Sequence, residues 1–275
     1  MRKLMCGLAS LACAAAIASC DGGAGPRMGQ VVVHLTDAPM AGVGGATVWV
    51  SKVYLLGGGG GGDEESGPVT VSSSAAKYDL LKLQNGATAL LGSALIPVGD
   101  YEQLRLVLDS ARVTLAAGMT FADGSTSRTL RTPSAGESGL KVNFGGPVHV
   151  APGQTDLVVD FDVSRNFVFL GDPTHPNGVL FTPVLHGGVM DIAGSISGIS
   201  SPAAANGHLF AIQGSDTVTS AVADGTTGAY TLWFLPPGTY TVADSAVGNV
   251  TATTPFTVGT AQHVTGVDFT LVKKP

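Results

Sequence analysis

Apolar and polar positions alternate along most of this chain, and the period is two, not 3.6. Residues 29–39 read as a β-branched strand ending in a turn, where the Asp37 side chain is placed to bond backbone amides. Residues 42–56 return as a second strand, alternating over most of Ala46-Thr-Val-Trp-Val-Ser-Lys-Val-Tyr-Leu55. Residues 57–62 are six glycines, followed by Asp63-Glu64-Glu65, and predict a mobile hairpin tip. A phosphate-binding loop would need a Lys-Ser/Thr pair and a following helix, and neither is present. Lys77-Tyr-Asp-Leu-Leu-Lys-Leu-Gln carries a strand into an Asn85-Gly86 turn, and residues 87–91 are expected to form one helical turn. Further strands are expected at 111–115, 127–130, 139–144, 155–163 and 180–185. Short strands at close spacing with Gly/Pro turns describe β-sandwiches, not an α/β fold.

One phrase occurs twice. Pro97-Val-Gly-Asp-Tyr101 returns as Pro237-Gly238-Thr-Tyr240, each time between an apolar residue and an apolar-rich strand. Pro presets φ and Gly relieves the turn, so the chain reverses cheaply at both places. Each copy is followed by a second shared phrase, ending at Asp160-Phe161 and at Asp268-Phe269. The pattern implies two tandem antiparallel β-sandwich domains, at 29–191 and 194–275. The second has 14 Thr in its 82 residues, which suits a pleated, half-wetted face.

The N-terminus sets the cellular address. Arg2 and Lys3 precede an Ala/Leu-rich apolar stretch too short to span a bilayer as a mature helix. It ends at Ile17-Ala-Ser-Cys20, which resembles a bacterial lipobox: residues 1–19 would be a lipoprotein signal peptide, Cys20 the acylated residue and 20–28 a tether. An ordinary secretory cleavage site at Ser19-Cys20 is the alternative. Lipid chains on Cys20 would hold the chain in a bilayer at about 0.8 kcal/mol per buried CH₂, as a cell-envelope lipoprotein on an inner or outer membrane. Cys6 and Cys13 lie in the signal, so the mature chain has no pair to form a disulfide. With Arg2 and Lys3 removed, twelve basic residues face twenty acidic ones, a net charge of −8. Such a chain, without a basic cluster, argues against nucleic acid as a partner.

Five ordered blocks carry a family likeness: Leu35-Thr-Asp-Ala-Pro39, Asp79-Leu-Leu-Lys-Leu-Gln-Asn-Gly86, Gly99-Asp-Tyr-Glu-Gln-Leu-Arg105, Pro133-Ser134 with Ser138-Gly-Leu-Lys141, and Asp160-Phe-Asp162. Together they resemble the bacterial envelope family called domain of unknown function 4382, over about 29–190. Gly225-Thr-Thr-Gly-Ala-Tyr-Thr-Leu-Trp-Phe-Leu-Pro-Pro-Gly-Thr-Tyr-Thr-Val242 resembles the carboxypeptidase regulatory-like, or transthyretin-like, sandwich over roughly 194–272. The resemblance implies an all-β chain of two immunoglobulin- or transthyretin-like sandwiches, related in shape to carbohydrate-binding modules. It implies no catalytic residue.

The motifs that could carry chemistry are few. Ser138-Gly-Leu-Lys141 is formally S-x-x-K, but that chemistry needs a helix and distal S-D-N and K-T-G elements, which are missing. Asp160, Asp162, Ser164 and Asn166 place an oxygen at every second residue, so in a strand all four would share one face. Calcium takes six to eight oxygens, and Asp160 with Asp162 becomes a candidate Ca²⁺ site if Asp37 or Asp109 stands nearby. A solvent-facing polar row is the preferred reading. His34, His149, His175, His186, His208 and His263 are scattered without metal-ligand spacing. Trp49, Tyr230, Tyr240 and Trp233 could stack on sugars, with the core as the ordinary place for Tyr101 and Tyr240; Trp233 is the best candidate for carbohydrate binding.

The expectation is a non-enzymatic, membrane-anchored binding or structural module without a required cofactor, whose partner is a glycan, an envelope polymer or an envelope protein. The alternatives are an undetected hydrolytic or metal-dependent enzyme and a passive spacer.

Overall fold

The computed structural model describes residues 27–38, 42–57, 67–130, 138–172 and 174–274. The glycine run at 58–62 and the lipidation candidate Cys20 lie outside them. The chain is all-β, built from several sheets, with one short α-helical turn among the described residues. No helix among them is long and apolar enough to cross a membrane.

The first part begins with β1 (Met28–Thr36), β2 (Val43–Leu56), β3 (Val69–Ser72), β4 (Ala76–Asp79), β5 (Ala89–Pro97), β6 (Gly99–Tyr101) and β7 (Gln103–Leu115). It continues through β8 (Ser127–Leu130), β9 (Leu140–Asn143), β10 (Val148–Val150), β11 (Gln154–Asp160), α1 (Val163–Asn166), β12 (Phe167–Gly171), β13 (Pro176–Phe181) and β14 (Leu185–Val189). Ten of these strands make one sheet, whose main path runs β3-β2-β7-β9-β14-β11-β1-β5. Pairing in it is antiparallel except at β1–β11 and β9–β14. The sheet curls until its edges touch: a Cβ on Gly92 of β5 would stand 2.5 Å from Ser72 Cβ of β3.

Alternation decides which side chains enter this curl. Val31, Val33 and Leu35 are fully buried in β1, as are Ala46 and Val48 in β2. Each such Val or Leu contributes about 1.5–3 kcal/mol. Beyond Val50 the buried set of β2 shifts phase to Val53 and Leu55, because a bulge against β7 absorbs one residue. Residues 87–91 are not helical. Ala89 and Leu90 pair with Leu35 and His34 of β1, and β-ladder bonds with a buried Leu91 outweigh the local helical preference.

The second part holds β15 (Gly194–Ser201), β16 (His208–Gln213), β17 (Asp216–Val222), β18 (Ala229–Leu235) and β19 (Gly238–Ser245). Then come β20 (Asn249–Val250), β21 (Ala252–Val258), β22 (His263–Val264), β23 (Phe269–Thr270) and β24 (Val272–Lys273). One four-stranded sheet gathers β15, β18, β22 and β23, and another runs β17-β16-β19-β21. Between them lies a second hydrophobic cluster that includes Ile196, Leu209, Leu232, Tyr240 and Val242.

The repeated phrase builds the same device in both parts. Tyr101 OH donates to the Pro97 carbonyl at 2.8 Å, and Tyr240 OH to the Pro236 carbonyl at 2.6 Å. In each case the ring is buried and the hydroxyl closes the turn four residues back. Burial raises both phenols, Tyr240 to about 12.

Candidate functional site

The parallel pairing of β1 with β11 fixes the site. Thr36 stands opposite Asp160 in that register, so the two strands end side by side and release Asp37 and Asp162 at the same edge. Phe161 donates its amide to the Thr36 carbonyl at 3.0 Å, which extends the pairing by one residue. Asp162 then takes a left-handed φ of 47° and the strand gives way to α1. The expected strand through Val163 therefore ends at Asp160, and the four oxygens do not form a row on one face. Nor do they face solvent: Asp160 and Asp162 are 8% and 2% exposed, and Asn166 is fully buried.

Two successive amides at this break are held by two carboxylates. Asp162 N donates to Asp160 Oδ1 at 3.1 Å, and Val163 N donates to Asp37 Oδ1 at 2.9 Å. Asp162 Oδ1 accepts the Ser164 hydroxyl at 2.5 Å. Asn166 donates to the Phe161 carbonyl and accepts the Val184 amide at 2.9 Å, which fixes α1 from behind. Asp37 Oδ2 and Asp162 Oδ2 are buried without a hydrogen-bond partner.

Three buried carboxylates in such proximity resist ionisation. Burial, followed by the charges of Asp160 and Asp162, holds Asp37 well above the usual carboxylate range, with the Val163 amide and the Gln84 side chain pulling the other way. Burial and then the Asp162 charge push Asp160 up to about 7, against the Thr219 hydroxyl and the Asp162 amide. Asp162 is raised by burial and relieved in part by Ser164, Arg165 and His208. His186, cross-strand partner of Asp160, is lowered by burial, and its Nε2 has no partner.

The second part of the chain covers this edge. Arg165 donates to the Thr217 carbonyl at 2.6 Å, Ser164 and Ser220 hydroxyls stand 3.3 Å apart, and Ser220 reaches Asp162 Oδ1 at 3.5 Å. Trp233 lies over the Asn85-Gly86 turn, where both residues have positive φ and a Gly86 Cβ would be 3.0 Å from the indole. Phe234, beside it in β18, is held at φ 56°, a strained value for a bulky residue. A small, partly open cavity of about 10 Å³ lies in this seam, lined in part by Thr36, Asp37, Asp160, Thr219 and Ser220. A second of similar size touches Asp160 and His186. An open groove of about 510 Å³, with Glu102, Lys141 and Asp216 on its sides, lies apart from the carboxylates.

Of the residues singled out by sequence, Asp160 and Asp162 meet in the seam and Trp233 caps it, while Asp109 is exposed on β7. Trp233 itself is 37% exposed. Ser138 sits on a turn before β9, where its carbonyl accepts the Tyr54 hydroxyl at 2.6 Å. Trp49 is half-buried beneath Lys77, and Tyr230 is buried with its hydroxyl on the Val267 carbonyl at 2.5 Å. His34 faces Asp156, His149 faces Asp100, and His263 faces Ser195. No group of three or more His, Cys, Asp or Glu side chains among the described residues is arranged to hold a metal ion. Thr219 and Ser220 carried no sequence signal, since they look like ordinary residues of a Thr-rich sheet.

A family model described as domain of unknown function (DUF4382) matches residues 28–183. No curated protein matches the chain. Among solved structures it is similar to the Bacillus anthracis TIE protein, at 11% identity and a TM-score of 0.25, covering 90% of this chain and 35% of that one. It is similar also to GBS52, the minor pilin of Streptococcus agalactiae, at 13% identity and TM-score 0.24, covering 90% and 97%. BcpA, the major pilin subunit of Bacillus cereus, follows at 8% and 0.22, covering 90% and 71%. The chain thus spans about a third of the length of the Bacillus anthracis protein. Likenesses at this level decide nothing about function.

Proposed function

The chain belongs to the family described as domain of unknown function (DUF4382), and we propose that it is a non-enzymatic structural and binding module of a bacterial cell envelope. Acylated Cys20 anchors it in this reading, residues 29–191 and 194–275 are its two domains, and the second is a carboxypeptidase regulatory-like sandwich.

One observation carries the proposal. The ends of β1 and β11 are the most polar buried place in the first core, and they are spent on docking the second core. The seam leaves cavities of about 10 Å³, room for a water molecule and not for an organic substrate. Two bodies held in this way present a defined outer surface, which suits contact with a glycan, an envelope polymer or an envelope protein. The exposed part of Trp233 favours glycan as the first partner to try.

The test uses the full chain purified in detergent. Mass spectrometry is expected to find a diacylated mature terminus that Cys20→Ala abolishes. Esterase, peptidase and glycosidase substrates are expected to survive incubation. Turnover lost in Ser138→Ala or Asp160→Asn would refute the non-enzymatic reading, and an unacylated terminus would refute the anchor. Glycan-array binding lost in Trp233→Ala would establish recognition, whereas flat arrays would leave the structural role alone standing.

A further inference from the structure

We propose that the seam cavity is a calcium site that clamps the two parts of the chain together, with Asp37 and Asp160 as its charged ligands. The inference stands apart from the envelope reading and from any partner. Both carboxylates line one cavity of about 10 Å³, which is about the space of a single water or a bare ion. Asp37 is 4% exposed, its Oδ1 is fixed by the Val163 amide, and its Oδ2 makes no hydrogen bond of good geometry, with the Gln84 side chain the polar group beside the carboxyl's other face. A carboxylate oxygen so placed is an uncompensated buried acceptor, and a cation satisfies it directly.

The remaining donors are hard and neutral. Thr219 and Ser220, 7% and 5% exposed, line the cavity from β17. The Thr36 hydroxyl lies 3.0 and 2.9 Å from the Leu83 and Ala87 carbonyls, so its proton is committed and its lone pairs are left for a ligand. The two carboxylates and the Thr36, Thr219 and Ser220 hydroxyls together offer about seven oxygens to a divalent ion that prefers six to eight. Magnesium is disfavoured, because it sheds water reluctantly and usually keeps several waters, for which a space of about one water has no room. Asp162 does not line the cavity; its left-handed backbone places the two amides that orient Asp37 and Asp160. Asp37 and Asp160 come from the first core and Thr219 and Ser220 from the second, so the ion ties one to the other.

The experiment titrates calcium into the EDTA-stripped full chain in detergent at pH 8, read by calorimetry, by Trp233 fluorescence and by thermal melting. One ion per chain is expected, with an apparent Kd on the order of 0.1–1 mM, as in extracellular modules. At a hundredfold excess over Kd the melting temperature rises by about 3 °C or more, and magnesium at equal concentration gives less than half of this. Asp37→Asn and Asp160→Asn, near-isosteric and checked for folding by the same melt, each weaken binding by at least about tenfold. The exposed-site control Asp109→Asn leaves it unchanged. Absence of saturable binding at about 10 mM calcium, or unaltered affinity in the two seam variants, overturns the site.

Discussion

Asp37 Oδ1 accepts the amide of Val163 at 2.9 Å, across 126 residues of sequence. This bond joins the end of β1 to the break after β11, and it predicts opposite outcomes for two substitutions. Asp37→Ala leaves a buried N–H without an acceptor, at a cost of about 1–3 kcal/mol. Asp37→Asn keeps a carbonyl oxygen in the same place and removes a buried charge, so without calcium at pH 8 its stability equals or exceeds that of the parent. Urea unfolding of both variants in EDTA checks the pair. Equal losses would mean that the charge, not the acceptor, is what the fold uses.

Stability should fall as pH rises when no divalent ion is present. Asp160 is held at about 7 by burial and by the Asp162 charge, and Asp37 is raised in the same direction. A group whose folded pKa is raised favours the folded state below its unfolded value, near 4, and loses that contribution as pH climbs through the folded value. The window is therefore roughly pH 4 to 7, with a slope of at most about 1.4 kcal/mol per unit for each such group. Facing groups temper this: Arg165 and His208 act on Asp162, and His186 opposite Asp160 is itself driven neutral. Denaturation midpoints in EDTA at pH 4.5 and 7.5 should differ in favour of the acid, and Asp160→Asn should flatten the difference. A midpoint that rises with pH would contradict the carboxylate assignment.

The sequence made the strands readable and left the seam dark. Val31, Val33 and Leu35 alternate with residues less buried, and that pattern alone gives β1. Asp37 looked like a local turn residue bonding amides nearby. It does bond an amide, but one delivered by a parallel neighbour, and nothing local encodes which distant strand pairs with β1. Asp162 broke the alternation by adopting φ 47°, a conformation that no neighbouring glycine advertised. The shared Asp-Phe phrase also split in meaning: Asp160 is buried beside two other acids, whereas Asp268 is an exposed residue that caps the Ile199 amide at 2.9 Å. Identical words acquire different work because only one copy lies where the two cores meet.

The two tyrosine turns should prove independent and nearly equal. Tyr101→Phe and Tyr240→Phe each remove one hydroxyl from a turn carbonyl and leave the ring in place. The expected loss is about 0.5–1.5 kcal/mol for each. Trp49 lies in β2 of the first part, whereas Trp233 in β18 of the second packs on the Gly86 turn of the first, so a variant retaining only Trp49 reports the first core and one retaining only Trp233 reports the second core together with the seam. Tyr101→Phe should move the Trp49 transition, and Tyr240→Phe should move the Trp233 transition and leave that of Trp49 in place. If Tyr240→Phe moved both by the same amount, the two cores would unfold as one unit.

Gly86 is the remaining lever on the seam. Its φ of +82° is strained for a residue with a Cβ, and an added Cβ would stand 3.0 Å from Trp233. Gly86→Ala should therefore carry a backbone penalty of about 1 kcal/mol and also push the indole off the turn. Asn tolerates a left-handed backbone better than Ala does, so Gly86→Asn reduces the first effect while keeping the second. Both variants should red-shift Trp233 emission and open the seam to protease, with Gly86→Ala the less stable of the two. Emission unchanged in both would mean that Trp233 holds its position without the turn, and the docking contact would then rest on Arg165 and the Ser164–Ser220 pair.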